Sequence, residues 1–229
     1  MSKGFFITGT DTEIGKTLIT TSLMRVSVNQ GAKVAGMKPI ASGCEKTDQG
    51  LRNDDAIKIM SEASVDFDYE TINPYAFEPS VSPHFAAEQS DEVIEFKKII
   101  KNYKIINHQS EQVFVEGVGG WEVPLGKELR ISDLAKEMNL PIILVIGLRL
   151  GCINHALLTI KSIRDKGLRL VACIATQIDP DYKFCEETIT TLEQQIDIPV
   201  QYVPWFEKVR PELITQYLES TVEQINENI

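Results

Sequence analysis

Gly9-Thr10-Asp11-Thr12-Glu13-Ile14-Gly15-Lys16-Thr17 is the stretch on which the reading of this chain turns. It follows a short β-rich run, Gly4-Phe5-Phe6-Ile7-Thr8, and precedes a helical pattern with apolar residues at Ile19, Leu23 and Val26. In a strand–loop–helix of this kind the glycines let backbone N–H groups face inward onto phosphate oxygens. Lys16 supplies a point charge for the β- and γ-phosphates, Thr17 a hydroxyl for Mg²⁺, and the helix N-terminus its dipole. Five residues separate Gly9 from Gly15, one more than in the common form of the motif. The competing reading is an ordinary βα turn with a solvated lysine. The order of elements around the loop favours phosphate.

Outward from the loop, strands and helices alternate. Gly31 stops the first helix, and Lys33 to Met37 reads as a second strand closed by Lys38-Pro39. Ile40 to Asn53 is a polar loop, Asp54 to Met60 a helix, and Asn73-Pro74, Pro79 and Ser82-Pro83 mark a turn-rich stretch. Val93, Phe96, Ile100 and Tyr103 predict the next helix, and Gln112 to Glu116 a strand ending in Gly117-Val118-Gly119-Gly120. Ile142 to Ile146 is apolar without a period of two, as expected of a strand buried on both faces. A helix on Ile153, Leu157 and Ile160 follows, then a strand over Leu168 to Ala175 and a helix on Cys185, Ile189, Leu192 and Ile196. The pattern closes with a strand over Pro199 to Val203 and a terminal helix from Leu213 to Ile229. This alternation predicts an α/β fold with a mostly parallel central sheet and helices on both faces. No linker interrupts it, so residues 1–229 are read as a single domain. Ligands of such sheets sit at the carboxyl ends of the strands, so the residues just after each apolar run carry the information.

Composition narrows the partners. Of the 229 residues, 23 are Lys or Arg and 33 are Asp or Glu, a formal net charge of −10. That balance argues against nucleic acid and anionic membranes, which select basic surfaces, but a local backbone nest still binds phosphate in an acidic chain. Cys44, Cys152, Cys173 and Cys185 form no CxxC pair and fit free thiols in a reducing cytoplasm. The N-terminus does not read as a signal peptide, and no run approaches the roughly 18 apolar residues of a membrane span.

Three further side chains stand at strand ends or a helix start. Glu116 closes a buried strand where a metal-binding acid would stand, since a buried carboxylate without a cation is costly. Its other role would be to cap the Gly117–Gly120 turn. Asp55 opens a helix, where the macrodipole alone would favour an acid, and Asp54 competes for the same metal. Lys38, taken alone, reads first as an exposed strand-end lysine. Paired with Lys16 it would form a two-cation clamp suited to phosphoryl transfer.

The blocks GTDTEIGKT, MKPIASG, LRNDDA, NPYAF, SPHFAA, VEGVGGWEVPL, LRLGCINHALLT and VPWF occur in this order from about Gly4 to Pro211, and the chain resembles the dethiobiotin synthetase family. The resemblance implies a P-loop NTPase-like fold and an ATP- and Mg²⁺-dependent cyclo-ligase of biotin synthesis. It would convert 7,8-diaminopelargonate and CO₂ to dethiobiotin through a carbamate and a carbamic–phosphoric anhydride. Glu13, Ile14, Gly15, Lys16, Thr17 and Leu18 would wrap the ATP phosphates, with Thr12 near the reacting groups. Thr17, Asp55 and Glu116 would hold Mg²⁺, which the resemblance decides in favour of Asp55 over Asp54. Lys38 would stabilise the carbamate and the transferring phosphoryl group, and Ser42 would contact the diamine. Glu116, Gly117, Val118 and Gly119 would line the nucleotide, and Pro204, Trp205 and Phe206 would flank adenine. Gly151, Cys152, Ile153 and Asn154 would bind the substrate's tail carboxylate across a homodimer interface. Family members usually carry a base-reading asparagine after the fifth strand, where this chain has Thr176 and then Gln177. A hydroxyl lacks the paired donor and acceptor of an amide; Gln177 would supply them to the nucleotide if the loop turns it inward, and base selection is expected to be looser than with asparagine. Arg149 stands where lysine is usual and keeps the charge. The alternative is a partition-type P-loop switch ATPase, but the lysine those proteins carry early in the loop is missing from Thr10-Asp11-Thr12.

Overall fold

A computed structural model describes residues 3–207 and 210–227. In chain order its strands are β1 (Lys3–Gly9), β2 (Val34–Met37), β3 (Ile40–Ala41), β4 (Glu45–Thr47), β5 (Gly50–Arg52), β6 (Tyr75–Ala76), β7 (Gln112–Glu116), β8 (Ile142–Leu148), β9 (Leu170–Gln177) and β10 (Val200–Val203). The helices are α1 (Lys16–Asn29), α2 (Asp54–Ser61), α3 (Tyr69–Ile72), α4 (Pro83–Gln89), α5 (Phe96–Gln109), α6 (Ile131–Met138), α7 (Cys152–Asp165), α8 (Cys185–Glu193) and α9 (Pro211–Glu227).

Six strands form one parallel sheet in the order β10-β9-β8-β1-β7-β2. The chain leaves β1 for the β2 edge, returns to fill the gap with β7, and then crosses to build β8, β9 and β10 on the other side. The direction reverses at β1, and the crevice of such a reversal is where α/β sheets bind ligands. The loop from Gly9 to Lys16 rises from that point.

The pleat explains the layers. Phe5 and Ile7 of β1 point into a core shared with Ile19, Leu23 and Val26 of α1 and Ile214, Leu218 and Val222 of α9. Phe6 points the other way, into a core with Ile99 and Ile106 of α5 and Leu134 of α6. Ile142 to Leu148 are all buried, as their unbroken apolar run requires. Each fully buried side chain of this size contributes about 1.5–3 kcal/mol. At the ligand edge Gly147 is a packing necessity: a Cβ there would lie 2.6 Å from the Ile14 side chain, so the loop settles on β8 only because the glycine is bare.

The polar stretch 40–53 carries the short strand β3, paired with β6, and the β4–β5 hairpin. The turn-rich region hides α3 and α4, and Pro83, a breaker by type, occupies the first turn of α4, where its missing N–H costs nothing. Helix α5 starts at Phe96, not at Val93, which is 77% exposed. Helix α6 is an addition to the elements expected from the sequence; the Asp133 carboxylate caps it by accepting the Arg130 N–H at 2.9 Å. Helix α8 ends at Glu193, and Ile196 reaches the core from beyond it. The terminal helix begins at Pro211, and residues 228 and 229 lie outside the described residues.

Candidate active site

The loop is shaped as an anion nest. Glu13 and Gly15 both hold positive φ, 56° and 88°, and Gly15 leads into α1, whose first N–H groups are free. The Thr176 hydroxyl ties the loop to the sheet, 2.6 Å from the Ile14 carbonyl and 3.3 Å from that of Ile146. Lys16 is buried, with its ammonium donating to the Asp11 carbonyl at 2.6 Å. Burial, with the Lys38 charge adding to it, lowers the Lys16 pKa to about 8.

Facing the loop is a network centred on Glu116. This carboxylate is fully buried at the end of β7. Its Oε1 accepts from Thr17 Oγ1 at 2.8 Å and from Lys38 Nζ at 2.6 Å, and its Oε2 accepts from Thr20 Oγ1 at 2.5 Å. Lys38 Nζ also donates to Asp55 Oδ2 at 3.1 Å, so one ammonium bridges two carboxylates. Burial alone would depress the Lys38 pKa, but Glu116 and Asp55 outweigh it and raise the value. Burial pushes the Asp55 carboxyl up, and the nearby Lys38 charge and Thr17 hydroxyl overcome it, so the net shift is downward. Lys38 is therefore not the exposed strand-end lysine that its position suggested.

Asn53 makes the local geometry of Asp55. Its side chain caps α2, accepting from the N–H groups of Asp55 and Ala56 at 3.1 and 3.3 Å. The first turn then points Asp55 inward, while Asp54 faces solvent beside Lys58. A cleft of about 400 Å³ joins these parts, lined by Thr12, Glu13, Gly15, Lys16, Thr17, Leu18, Lys38, Ser42, Asp55, Glu116, Val118 and Gly119. Ala41, Asn53 and Ser80 complete it. Larger hollows of about 660 and 710 Å³ lie on the surface beside α5 and α2, but neither includes the loop or the Glu116 network.

Other expected residues stand apart from this cleft. The Gln177 amide is engaged internally: Nε2 donates to the carbonyls of Asp179 and Tyr182 at 3.2 and 3.4 Å, and Oε1 accepts from Tyr202 Oη at 2.7 Å and the Trp205 N–H at 3.4 Å. Pro204 to Phe206 follow β10; Trp205 is 42% exposed, and Phe206 packs edge-on to Tyr217 at 6.0 Å. Gly151, with φ of 94°, opens α7, Cys152 is buried beneath it and Asn154 is exposed. Residues 151–154 line none of the cleft around Lys16 and Lys38. Arg149 pairs with Asp11. Gly117 lies at the Lys38 end, its carbonyl 3.4 Å from Nζ. The sequence reading missed Thr20, Asn53 and Ser80. The signal for Thr20 was its spacing, one helical turn beyond Lys16 and Thr17.

The AAA domain family model matches residues 3–212. The fold is shared with the MinC:MinD cell division protein complex of Aquifex aeolicus, with a TM-score of 0.63 and 14% identity over 99% of this chain and 96% of that one. It is also shared with a ParA family ATPase from Chlorobium tepidum TLS, with a TM-score of 0.56 and 13% identity over 99% and 92%. Identity is much higher to two proteins named ATP-dependent dethiobiotin synthetase BioD. The one from Cellvibrio japonicus (strain Ueda107) is 43% identical over 86% of both chains. The one from Pseudomonas aeruginosa (strain LESB58) is 42% identical over 94% of this chain and 95% of that one. The structural likenesses, at such low identity, speak for the fold alone; with identity above 40% running through nearly the whole length of these relatives, the chain belongs to the dethiobiotin synthetase family.

Proposed function

We propose that the cleft closes the ureido ring of dethiobiotin, with each residue acting as follows. The enzyme is an ATP-dependent ligase of biotin biosynthesis whose substrates are small molecules. One amine nitrogen of 7,8-diaminopelargonate attacks CO₂ and loses a proton, giving a carbamate. A carbamate oxygen attacks the γ-phosphorus, and the bond to ADP breaks. The second amine then attacks the carbonyl carbon of the mixed anhydride and loses a proton, the ring closes, and phosphate leaves with the electron pair of the broken C–O bond.

Every stage gathers anions, and the observation that carries the reading is Lys38, a buried ammonium bridging Asp55 and Glu116 opposite the phosphate loop. The nest from Glu13 to Leu18 and Lys16 hold the ATP phosphates. Lys38 stands across from them, where a carbamate oxygen and the moving phosphoryl group need positive charge. Thr12 and Ser42 orient the diamine. Val118 and Gly119 line the nucleotide, and Pro204 to Phe206 flank its base. Thr17, Asp55 and Glu116 fit Mg²⁺: all three offer hard oxygens, and the two carboxylates carry one more negative charge than the single Lys38 ammonium between them neutralises. Bound there, Mg²⁺ would neutralise charge on the β- and γ-phosphate oxygens. Among the described residues no group of three His, Cys, Asp or Glu is placed to hold a metal by itself.

The tail carboxylate of the diamine falls to Gly151-Cys152-Ile153-Asn154 of a second copy. The Cys152 N–H is taken by the Arg149 carbonyl at 3.1 Å, but the N–H groups that follow it at the start of α7 favour an anion, and the flanking Leu150 and Leu158 are 92% and 60% exposed, an apolar surface for a homodimer. A mixture of a Lys16-defective chain and an Asn154-defective chain is then expected to recover activity, since mixed dimers contain one intact site. Verified mixed dimers with no recovery would contradict shared sites. The partition-type alternative has only a likeness of fold in its favour. Residues 1–229 act as one domain in this reading. Cytoplasmic residence fits the four free, buried cysteines, and among the described residues no helix is long and apolar enough to cross a membrane.

The test is ADP release in a mixture of protein, 7,8-diaminopelargonate, bicarbonate, Mg²⁺ and nucleoside triphosphate. Release should vanish when the diamine is omitted; unchanged release would refute the function. Because Thr176 and Gln177 spend their polar groups internally, the Michaelis constants of the four triphosphates should lie within about tenfold, a hydrogen-bonded base contact being worth more than that. A strong preference for ATP would remove the looser-selection reading.

A further inference from the structure

Thr20 stands three residues after Thr17 and four after Lys16, on the same face of α1. Its side chain is fully buried. Two acceptors lie within reach of its single proton, Glu116 Oε2 at 2.5 Å and the Lys16 carbonyl at 2.9 Å. The carboxylate is the stronger acceptor, and the separation is that of a charge-assisted O–H···O⁻ bond. The network is asymmetric. Oε1 of Glu116 is shared by Thr17 and Lys38, whereas Thr20 is the donor that reaches Oε2.

We propose that Thr20 is a positioning residue that fixes the rotation of the Glu116 carboxylate, so that Oε1 faces the metal side of the cleft. The proposal deepens the reading of Glu116 as a magnesium ligand and rests on it. Without the hydroxyl, Oε2 would be buried and unpaired. The carboxylate would then gain by turning to share Lys38 between both oxygens, which withdraws Oε1 from the metal. Thr20 touches no reactant. It acts through Glu116, as outer partners of metal-binding carboxylates do, at a typical cost of about 10–100-fold in affinity when removed.

The experiment measures Mn²⁺ affinity by electron paramagnetic resonance, with a non-hydrolysable ATP analogue present, for wild type, Thr20→Val, Thr20→Ser and Glu116→Gln. Thr20→Val keeps the shape and removes the donor, and its Mn²⁺ affinity is expected to fall about tenfold or more. The apparent KM for Mg²⁺ in turnover should rise in parallel, with the KM for diamine little changed, and Thr20→Ser should restore both. If Thr20→Val does not fold, Thr20→Ala serves in its place. Lower thermal stability with unaltered Mn²⁺ affinity overturns the proposal and leaves Thr20 a packing residue. Glu116→Gln separates the two levels: if it too leaves affinity intact, the magnesium reading itself fails, and if it weakens binding while Thr20→Val does not, only the role of Thr20 fails.

Discussion

Lys38→Met should lower kcat by roughly 10²–10³-fold while the KM for ATP moves little, the pattern of a charge whose interaction is greatest in the transition state. In the proposed reading the phosphates have their own cation, Lys16, and their own nest, so ATP affinity is not expected to depend on Lys38. Among the described residues lining the cleft, the carbamate has no ammonium other than Lys38 on its side, Lys16 being given to the phosphates. The Lys38 charge is fixed in place before any reactant arrives, since the side chain is 5% exposed and Glu116 and Asp55 keep it protonated against the pull of burial. Methionine matches the length of the stem and removes only the charge and its hydrogen bonds. Lys38→Arg is the companion variant. It keeps the charge, but a planar fork cannot place a point donor 2.6 Å from Glu116 and 3.1 Å from Asp55 at once, so its turnover should also stay low. Steady-state kinetics on both variants, with thermal unfolding to confirm folding, decide the matter. Near-normal turnover for Lys38→Met would reduce this lysine to a structural ion pair.

What could be read from the sequence, and what could not, divides along physical lines. β1, β8 and β9 were legible because strands buried on both faces leave continuous apolar runs. The phosphate loop was legible because few residue types tolerate its backbone. Lys38 and Glu116 were found by their place at strand ends, a consequence of the parallel sheet. The segment between β2 and α5 was less legible because its elements are only a few residues long and carry no periodicity. Pro83 there signals a break while opening a helix. Val93 extended the α5 pattern by type, yet it is exposed because the helix axis begins at Phe96. The partners of polar groups were the least visible. Thr20 is an ordinary helix threonine until β7 lays Glu116 beside it, and Thr176 became a loop tether because β9 ends beneath Ile14.

The Glu116 network also makes a prediction about stability. Glu116→Ala should abolish turnover and destabilise the fold by about 3–5 kcal/mol, the usual consequence of leaving one member of a buried ion pair behind. Of its two carboxylates Lys38 would keep only Asp55, whose side chain is 38% exposed and 3.1 Å away, in place of the fully buried partner at 2.6 Å. Thr17 and Thr20 would both lose their carboxylate acceptor, so the damage reaches the helix that follows the phosphate loop. For a chain of this size the loss corresponds to a fall of roughly 6–20 °C in Tm. Removing the charge on both sides should be milder than the sum. In Lys38→Met with Glu116→Gln no charge of the pair is stranded, and the glutamine can still accept from a threonine hydroxyl. The double variant should therefore be more stable than Glu116→Ala and fall short of the added single losses by about 1–3 kcal/mol, while remaining inactive. Urea unfolding of wild type, the three single variants Glu116→Ala, Glu116→Gln and Lys38→Met, and the double measures this directly. Additive losses would mean that Lys38 and Glu116 do not stabilise one another, and that the charge pair is kept for chemistry alone.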